Sequence, residues 1–154
     1  MEIKDAMKNS NVQAFLKAIR LGEGTLDAKG YNRIVGGQLF SDMSKHPQVK
    51  VWIPRYKVWS SAAGAYQIIY PTWVGLVKYY KFDNFEPETQ DLAAIALIKG
   101  RRALDDVAIG DFYKAIYKCS KEWASLPGSK AGQRIENIND ITQVYKDNGG
   151  IIRS

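Results

Sequence analysis

The sequence predicts an α+β fold that is mainly helical, with a helical body and one small β-hairpin lobe flanking a cleft. Three observations carry this. Apolar residues recur at helical spacing in several separate stretches. Between residues 26 and 61 that spacing gives way to short apolar pieces punctuated by glycine and proline. No repeat, low-complexity tract or long linker divides the chain. At 154 residues the chain has the size of one domain, so a single domain over residues 1–154 is expected. Its 45% hydrophobic and 25% charged residues suit a self-folding core and are too apolar for disorder.

The first helix is read from Val12, Phe15, Leu16 and Ile19, which share one face with polar residues between them; Gly22 and Gly24 stop the run near Glu23. The β lobe follows in the pieces Ile34-Val35, Leu39-Phe40 and Val49 to Ile53, broken by Gly36-Gly37, Pro47 and Pro54. Helical spacing returns after Tyr70-Pro71, where proline suits a first turn and Trp73, Val74, Leu76, Val77 and Tyr80 form a stripe expected to be buried. Three further helices are expected. Residues 86–98 carry Leu92, Ile95, Ala96 and Ile98. Residues 111–123 carry Phe112, Ala115, Ile116, Cys119 and Trp123, with Asp111 as N-cap. Residues 138–145 precede Gly149-Gly150. The space between helical body and β lobe is where a ligand is expected.

A formal net charge of +6 favours polyanionic partners. The cations are scattered, densest between Lys45 and Lys57 with aromatics interleaved, and no nucleic-acid motif accompanies them, so nucleic-acid binding is not expected. The single Cys119 has no partner for an internal disulfide, and with the single His46 it leaves too few soft ligands for a structural zinc site; no metal is expected. Lys17 and Arg20 interrupt the apolar residues near the N-terminus, which argues against a signal-peptide core or membrane span and for a protein made in the cytosol.

Glu23 is the first candidate for chemistry. It follows Ile19 by four residues and Phe15 by eight, which puts a carboxylate on the apolar stripe. Desolvation there, together with the negative end of the helix dipole, would raise its pKa and make it a proton donor near neutral pH. The alternative is that Gly22 ends the helix early and leaves Glu23 a solvated terminal acid. The second candidate is the run Ser60-Ser61-Ala62-Ala63-Gly64-Ala65-Tyr66-Gln67-Ile68. Its small residues allow close backbone approach, while Tyr66 and Gln67 offer a stacking face and amide bonds of the kind sugars need. The alternative there is a plain connection with Tyr66 in the core. His46, before Pro47, is read as a structural hydrogen-bonding residue, and Cys119 as a buried apolar thiol.

These segments carry a specific set of motifs. They are Glu23-Gly24-Thr25; Gly30-Tyr31; Ile34-Val35-Gly36-Gly37-Gln38-Leu39-Phe40; then Asp42, Ser44 and His46-Pro47; Gly64-Ala65-Tyr66-Gln67; and Trp123-Ala124-Ser125-Leu126-Pro127-Gly128 with Gly132-Gln133. In this order they resemble the lambda-type lytic transglycosylases, phage endolysins with a lysozyme-like fold whose helical body and hairpin lobe flank a glycan cleft. The resemblance implies that Glu23 is the catalytic residue, and that Tyr31, Asn32, Tyr66, Gln67, Trp123, Ser125 and Gln133 line the glycan groove. Two departures stand out. Asn32 occupies a position where the family has aspartate, and Lys130, Ala131 and Arg134 surround Gly132-Gln133 where it has aromatics.

By the same resemblance, the expected function is cleavage of the bond between N-acetylmuramic acid and N-acetylglucosamine, closing a 1,6-anhydro ring, with no metal or organic cofactor. The expected partner is a peptidoglycan glycan strand. A monomer without stable membrane insertion is expected, reaching the wall after a separate holin-type pore opens the inner membrane. Two alternatives stay open at the level of sequence: a hydrolytic lysozyme using Asp27 or Asp42 as second carboxylate, and a catalytically silent wall-binding domain that holds sugar on aromatic faces.

Overall fold

The computed structural model describes residues 1–128 and 136–153. Among these, seven α-helices and one two-stranded antiparallel sheet appear, in the order α1 (Ile3–Ala6), α2 (Ser10–Glu23), a 3-10 turn (Gly30–Asn32), β1 (Val51–Ile53), β2 (Val58–Ser60), α3 (Tyr70–Tyr80), α4 (Pro87–Gly100), α5 (Leu104–Ile109), α6 (Phe112–Cys119) and α7 (Ile138–Asp147). The mainly helical α+β class is therefore as expected. The chain forms two compact units, Met1–Gly24 with Ala94–Ser154, and Thr25–Ala93.

In the first unit α2 is the central element, packed on α5 and α7. Asn9 starts it by accepting from the Val12 N–H at 3.1 Å. Val12, Phe15, Leu16 and Ile19 are buried as their spacing requires, each worth about 2 kcal/mol in apolar surface removed from water. Phe15 meets Phe112 edge-on at 6.0 Å, and Phe112 lies 4.4 Å from Tyr145 of α7. Asn11 is a buried polar residue of the same helix with both ends of its amide used, donating to Ala108 O at 3.1 Å and accepting from Ile151 N–H at 2.9 Å. The helix runs through Gly22 and closes at Gly24, whose φ of 72° is the left-handed cap that directs its N–H back to the Arg20 and Leu21 carbonyls. An early stop at Gly22 is thereby excluded.

The second unit holds the hairpin. Trp52 pairs with Trp59 across β1 and β2, their rings 5.5 Å apart on the exposed side. The pieces Ile34-Val35 and Leu39-Phe40 make only isolated bridges, Arg33 to Leu39 and Ile34 to Ala63, and not further strands. Trp73 is the buried anchor of α3, against Phe82 and Phe85. The stripe expected on α3 is only partly buried: Trp73 is covered, while Leu76, Val77 and Tyr80 are half-buried. Val74 is 44% exposed, because it lies a full helical step away from the line of Trp73, Leu76, Val77 and Tyr80.

Two boundaries also differ. α6 stops at Cys119, not Trp123: Ser120 Oγ donates back to Tyr117 O at 2.6 Å, and the Lys121 and Glu122 N–H groups bond three residues back. Asp111 sits at the N-cap position but makes no side-chain cap bond. The short helices α1 and α5 have too few turns to show a period in the sequence.

Candidate active site

Two clusters of site residues form, one in each unit. In the first, the last turn of α2 carries Glu23, and Ser125 follows α6 in the Trp123 to Gly128 turn. Ser125 Oγ donates to Glu23 Oε2 at 2.5 Å. Burial pushes the Glu23 carboxyl up to about 7, and the Ser125 bond opposes that rise without cancelling it. Although the residue as a whole is only half-buried, its carboxyl is desolvated, in keeping with its place on the stripe with Phe15 and Ile19. A carboxyl half protonated at neutral pH can give and take a proton there. Trp123 is buried in this unit, with its backbone N–H donating to Cys119 O at 2.9 Å.

In the second unit Tyr66 lies in the core, and its hydroxyl donates to Asp91 Oδ1 at 2.6 Å. Tyr31 donates to the same oxygen at 2.9 Å. Gln67, half-buried with φ of 48°, uses its amide N–H groups on Gly64 O at 2.8 Å and Arg33 O at 3.2 Å. Asn32, also half-buried, donates to Phe40 O at 3.0 Å and fixes the loop between them. Gln133 lies outside the described residues, as do Lys130, Ala131 and Arg134.

Gln90 and Asp91 were not singled out from the sequence. Gln90 is buried, accepts from Ala65 N–H at 2.9 Å, and donates to Phe85 O at 2.8 Å and Tyr31 O at 3.1 Å. Gly64, with φ of 82°, sits so close that a Cβ there would overlap the Gln90 amide. Thr25 Oγ1 donates to Ala65 O from the other side. The backbone of the Gly64-Ala65 step is thus clamped by three side chains. The available signal was the one that marked Glu23: Gln90 precedes Ala94 and Ile98 by four and eight residues, a polar side chain on an apolar stripe.

The remaining titratable candidates have quieter surroundings. Asp27 is 56% exposed and paired with Arg33 at 2.7 Å, also accepting from Lys29 N–H at 2.9 Å. Asp42 is fully exposed, and the Ser44 hydroxyl and N–H hold its carboxyl below the usual range. His46 is buried, its Nε2–H on Ile68 O at 2.8 Å and its Nδ1 accepting from Gln48 N–H at 3.0 Å; burial lowers its pKa and both nitrogens serve structure. Cys119 is buried and its thiol is pushed up to about 12, far from a nucleophile. Among the described residues no group of three or more His, Cys, Asp or Glu is placed to hold a metal ion, and no helix is long and apolar enough to cross a membrane.

A family model described as Endolysin matches residues 13–152. The chain is 38% identical over 152 residues to the endolysin of Escherichia phage lambda, covering 94% of this chain and 95% of that one. It is 36% identical over 158 residues to the endolysin of Escherichia phage P2, covering 93% and 95%. The structure superposes on bacteriophage lambda lysozyme complexed with a chitohexasaccharide with a TM-score of 0.87 at 36% identity, over 94% of this chain and 97% of that one. For another structure of the lysozyme from bacteriophage lambda the TM-score is 0.84 at 35% identity, with the same coverage.

Proposed function

The chain belongs to the endolysin family, and from that premise we propose that it cleaves bacterial peptidoglycan as a lytic transglycosylase with Glu23 as both acid and base. The observation that carries this reading is the Glu23 carboxyl, raised to about 7 by burial and held at one oxygen by Ser125. Protonated Glu23 gives its proton to the oxygen between N-acetylmuramic acid and N-acetylglucosamine as the bond to the muramic C1 breaks. The acetamido group of the substrate stabilises the cationic carbon. The C6 hydroxyl oxygen then bonds to C1, and its proton returns to Glu23, so the enzyme ends as it began and a 1,6-anhydro ring closes.

This route needs one carboxyl group. A hydrolase needs a second one as nucleophile or water-activating base, and the two candidates for it are already engaged: Asp27 pairs with Arg33, and Ser44 holds the Asp42 carboxyl below the usual carboxylate range. The glycan strand is proposed by analogy with the chitohexasaccharide held by the lambda lysozyme. In the second unit Tyr31, Asn32 and Gln67 keep partly exposed surface to offer a sugar, with Tyr66 as a buried support; in the first, Trp123 and Ser125 are buried supports. In this reading the two units work as one catalytic domain. The protein is a monomer that needs no cofactor, and it gains the wall through a separate holin-type pore.

Digestion of purified sacculi followed by mass spectrometry tests the reaction. Anhydro-muramic ends support it; reducing muramic ends would replace it with hydrolysis, and intact sacculi with a binding role.

A further inference from the structure

A carboxyl that passes a proton in both directions does so best from one defined oxygen, and Glu23 has two. One of them is occupied. Ser125 Oγ lies 2.5 Å from Oε2 as a donor, and Ser125 is itself 7% exposed, with its carbonyl accepting from Glu136 N–H at 2.7 Å. In a carboxylic acid the carbonyl oxygen accepts and the hydroxyl oxygen donates. A donor lodged on Oε2 therefore makes Oε2 the carbonyl-like oxygen and leaves the proton to Oε1.

Resting on the reading of Glu23 as the acid, we propose that Ser125 is a positioning residue that makes Oε1 the working oxygen of Glu23, and that Gly22 is small to leave room for the Ser125 hydroxyl. A Cβ on Gly22 would stand 2.7 Å from Ser125 Oγ and 3.5 Å from Ser125 Cβ. Glycine inside a helix is less favourable than alanine, because it orders a freer backbone and buries no side chain. Here, in the last turn of α2, that cost leaves the hydroxyl its position. The same bond supports the anion that must recover the proton in the second half of the cycle, since a charge-assisted hydrogen bond favours the ionised form. Burial and Ser125 thus act in opposite senses on one group: burial keeps the proton on, and the hydroxyl keeps its loss accessible.

The test compares wild type, Ser125→Ala and Gly22→Ala by steady-state kinetics on solubilised glycan strands and by NMR titration of the labelled Glu23 carboxyl carbon. In Ser125→Ala the kcat is expected to fall about 10- to 100-fold with KM little changed. The NMR midpoint and the alkaline limb of the rate profile are both expected to move upward. Gly22→Ala, which keeps the hydroxyl but crowds it, should move the midpoint the same way by a smaller amount. A Ser125→Ala variant with raised KM and an unmoved midpoint makes Ser125 a sugar contact and overturns the proposal. So does an unmoved midpoint in a folded Gly22→Ala protein should Ser125→Ala fail to fold. Failure of the underlying reading looks different: Glu23→Gln would remain lytic while the NMR midpoint still answered to Ser125.

Discussion

Tyr31 and Tyr66 place their hydroxyls on one and the same oxygen, Oδ1 of Asp91, at 2.9 and 2.6 Å. Tyr31 belongs to the 3-10 turn after Thr25 and Tyr66 to the Gly64-Ala65 loop, so a single carboxylate on α4 sets the height of both segments. Gln90, the preceding residue, holds the backbone of the same two segments through Ala65 N and Tyr31 O. Because Tyr66 is buried, its hydroxyl cannot exchange Asp91 for water. Tyr66→Phe is expected to lower stability by about 1–3 kcal/mol, read by urea unfolding at constant slope. An unchanged midpoint would show that the bond contributes nothing net.

Gly64→Ala should be as damaging for a different reason. Its φ of 82° is strained for any residue with a Cβ, and that Cβ would overlap the Gln90 side chain. A loss above about 1 kcal/mol is expected, together with weaker glycan binding, because the clamp on Ala65 N must open to admit the methyl group. Calorimetric unfolding and a glycan pull-down check the two effects separately.

Glu23 ties stability to pH in a definite direction. Its folded-state pKa of about 7 lies above the 4.5 of a glutamate in the unfolded chain. Below 4.5 both states hold the proton and the wild type carries no penalty; between 4.5 and 7 only the native state holds it, so native stability falls as pH rises, and above 7 it levels off. The full span is at most about 3 kcal/mol by the linkage relation. Glu23→Gln has no proton to lose. It should therefore gain stability relative to wild type across that window and match it in acid. Parallel stability curves for the two proteins from pH 4 to pH 8 would contradict this.

The same substitution should remove nearly all lytic activity. Glu23→Gln is expected to fold, bind glycan and clear outer-membrane-stripped Gram-negative cells about 10²–10⁴-fold more slowly, the usual contribution of a positioned acid and base. In the wild type, activity should decline on the alkaline side with a midpoint near 7, where the acid loses its proton. Turbidity traces across pH give both results.

How much of this was legible in the sequence depends on the distance over which each feature is determined. The placement of Glu23 needed only the four-residue step from Phe15 and Ile19, and α2 delivers it as spaced. On α3 the spacing sets Val74 off the line of Trp73, but only the packed neighbours show that Leu76, Val77 and Tyr80 stay half-buried. Trp123 fell outside α6 because the competing Ser120 bond is local but invisible to periodicity. Ser125 and Glu23 are 102 residues apart, and Tyr66 and Asp91 are 25 apart; such pairs are made by tertiary packing. Family resemblance flagged Ser125 for the groove, but no spacing rule links it to Glu23.

The sealed state of Cys119 has a bearing on where the protein can travel. It is the only thiol in the chain, it has no surface, and the surrounding core keeps it from ionising. Oxidants, glutathione and disulfide-forming catalysts act on accessible thiolates. A reducing compartment and an oxidising one therefore leave this thiol in the same state, and the fold does not depend on which of the two surrounds it.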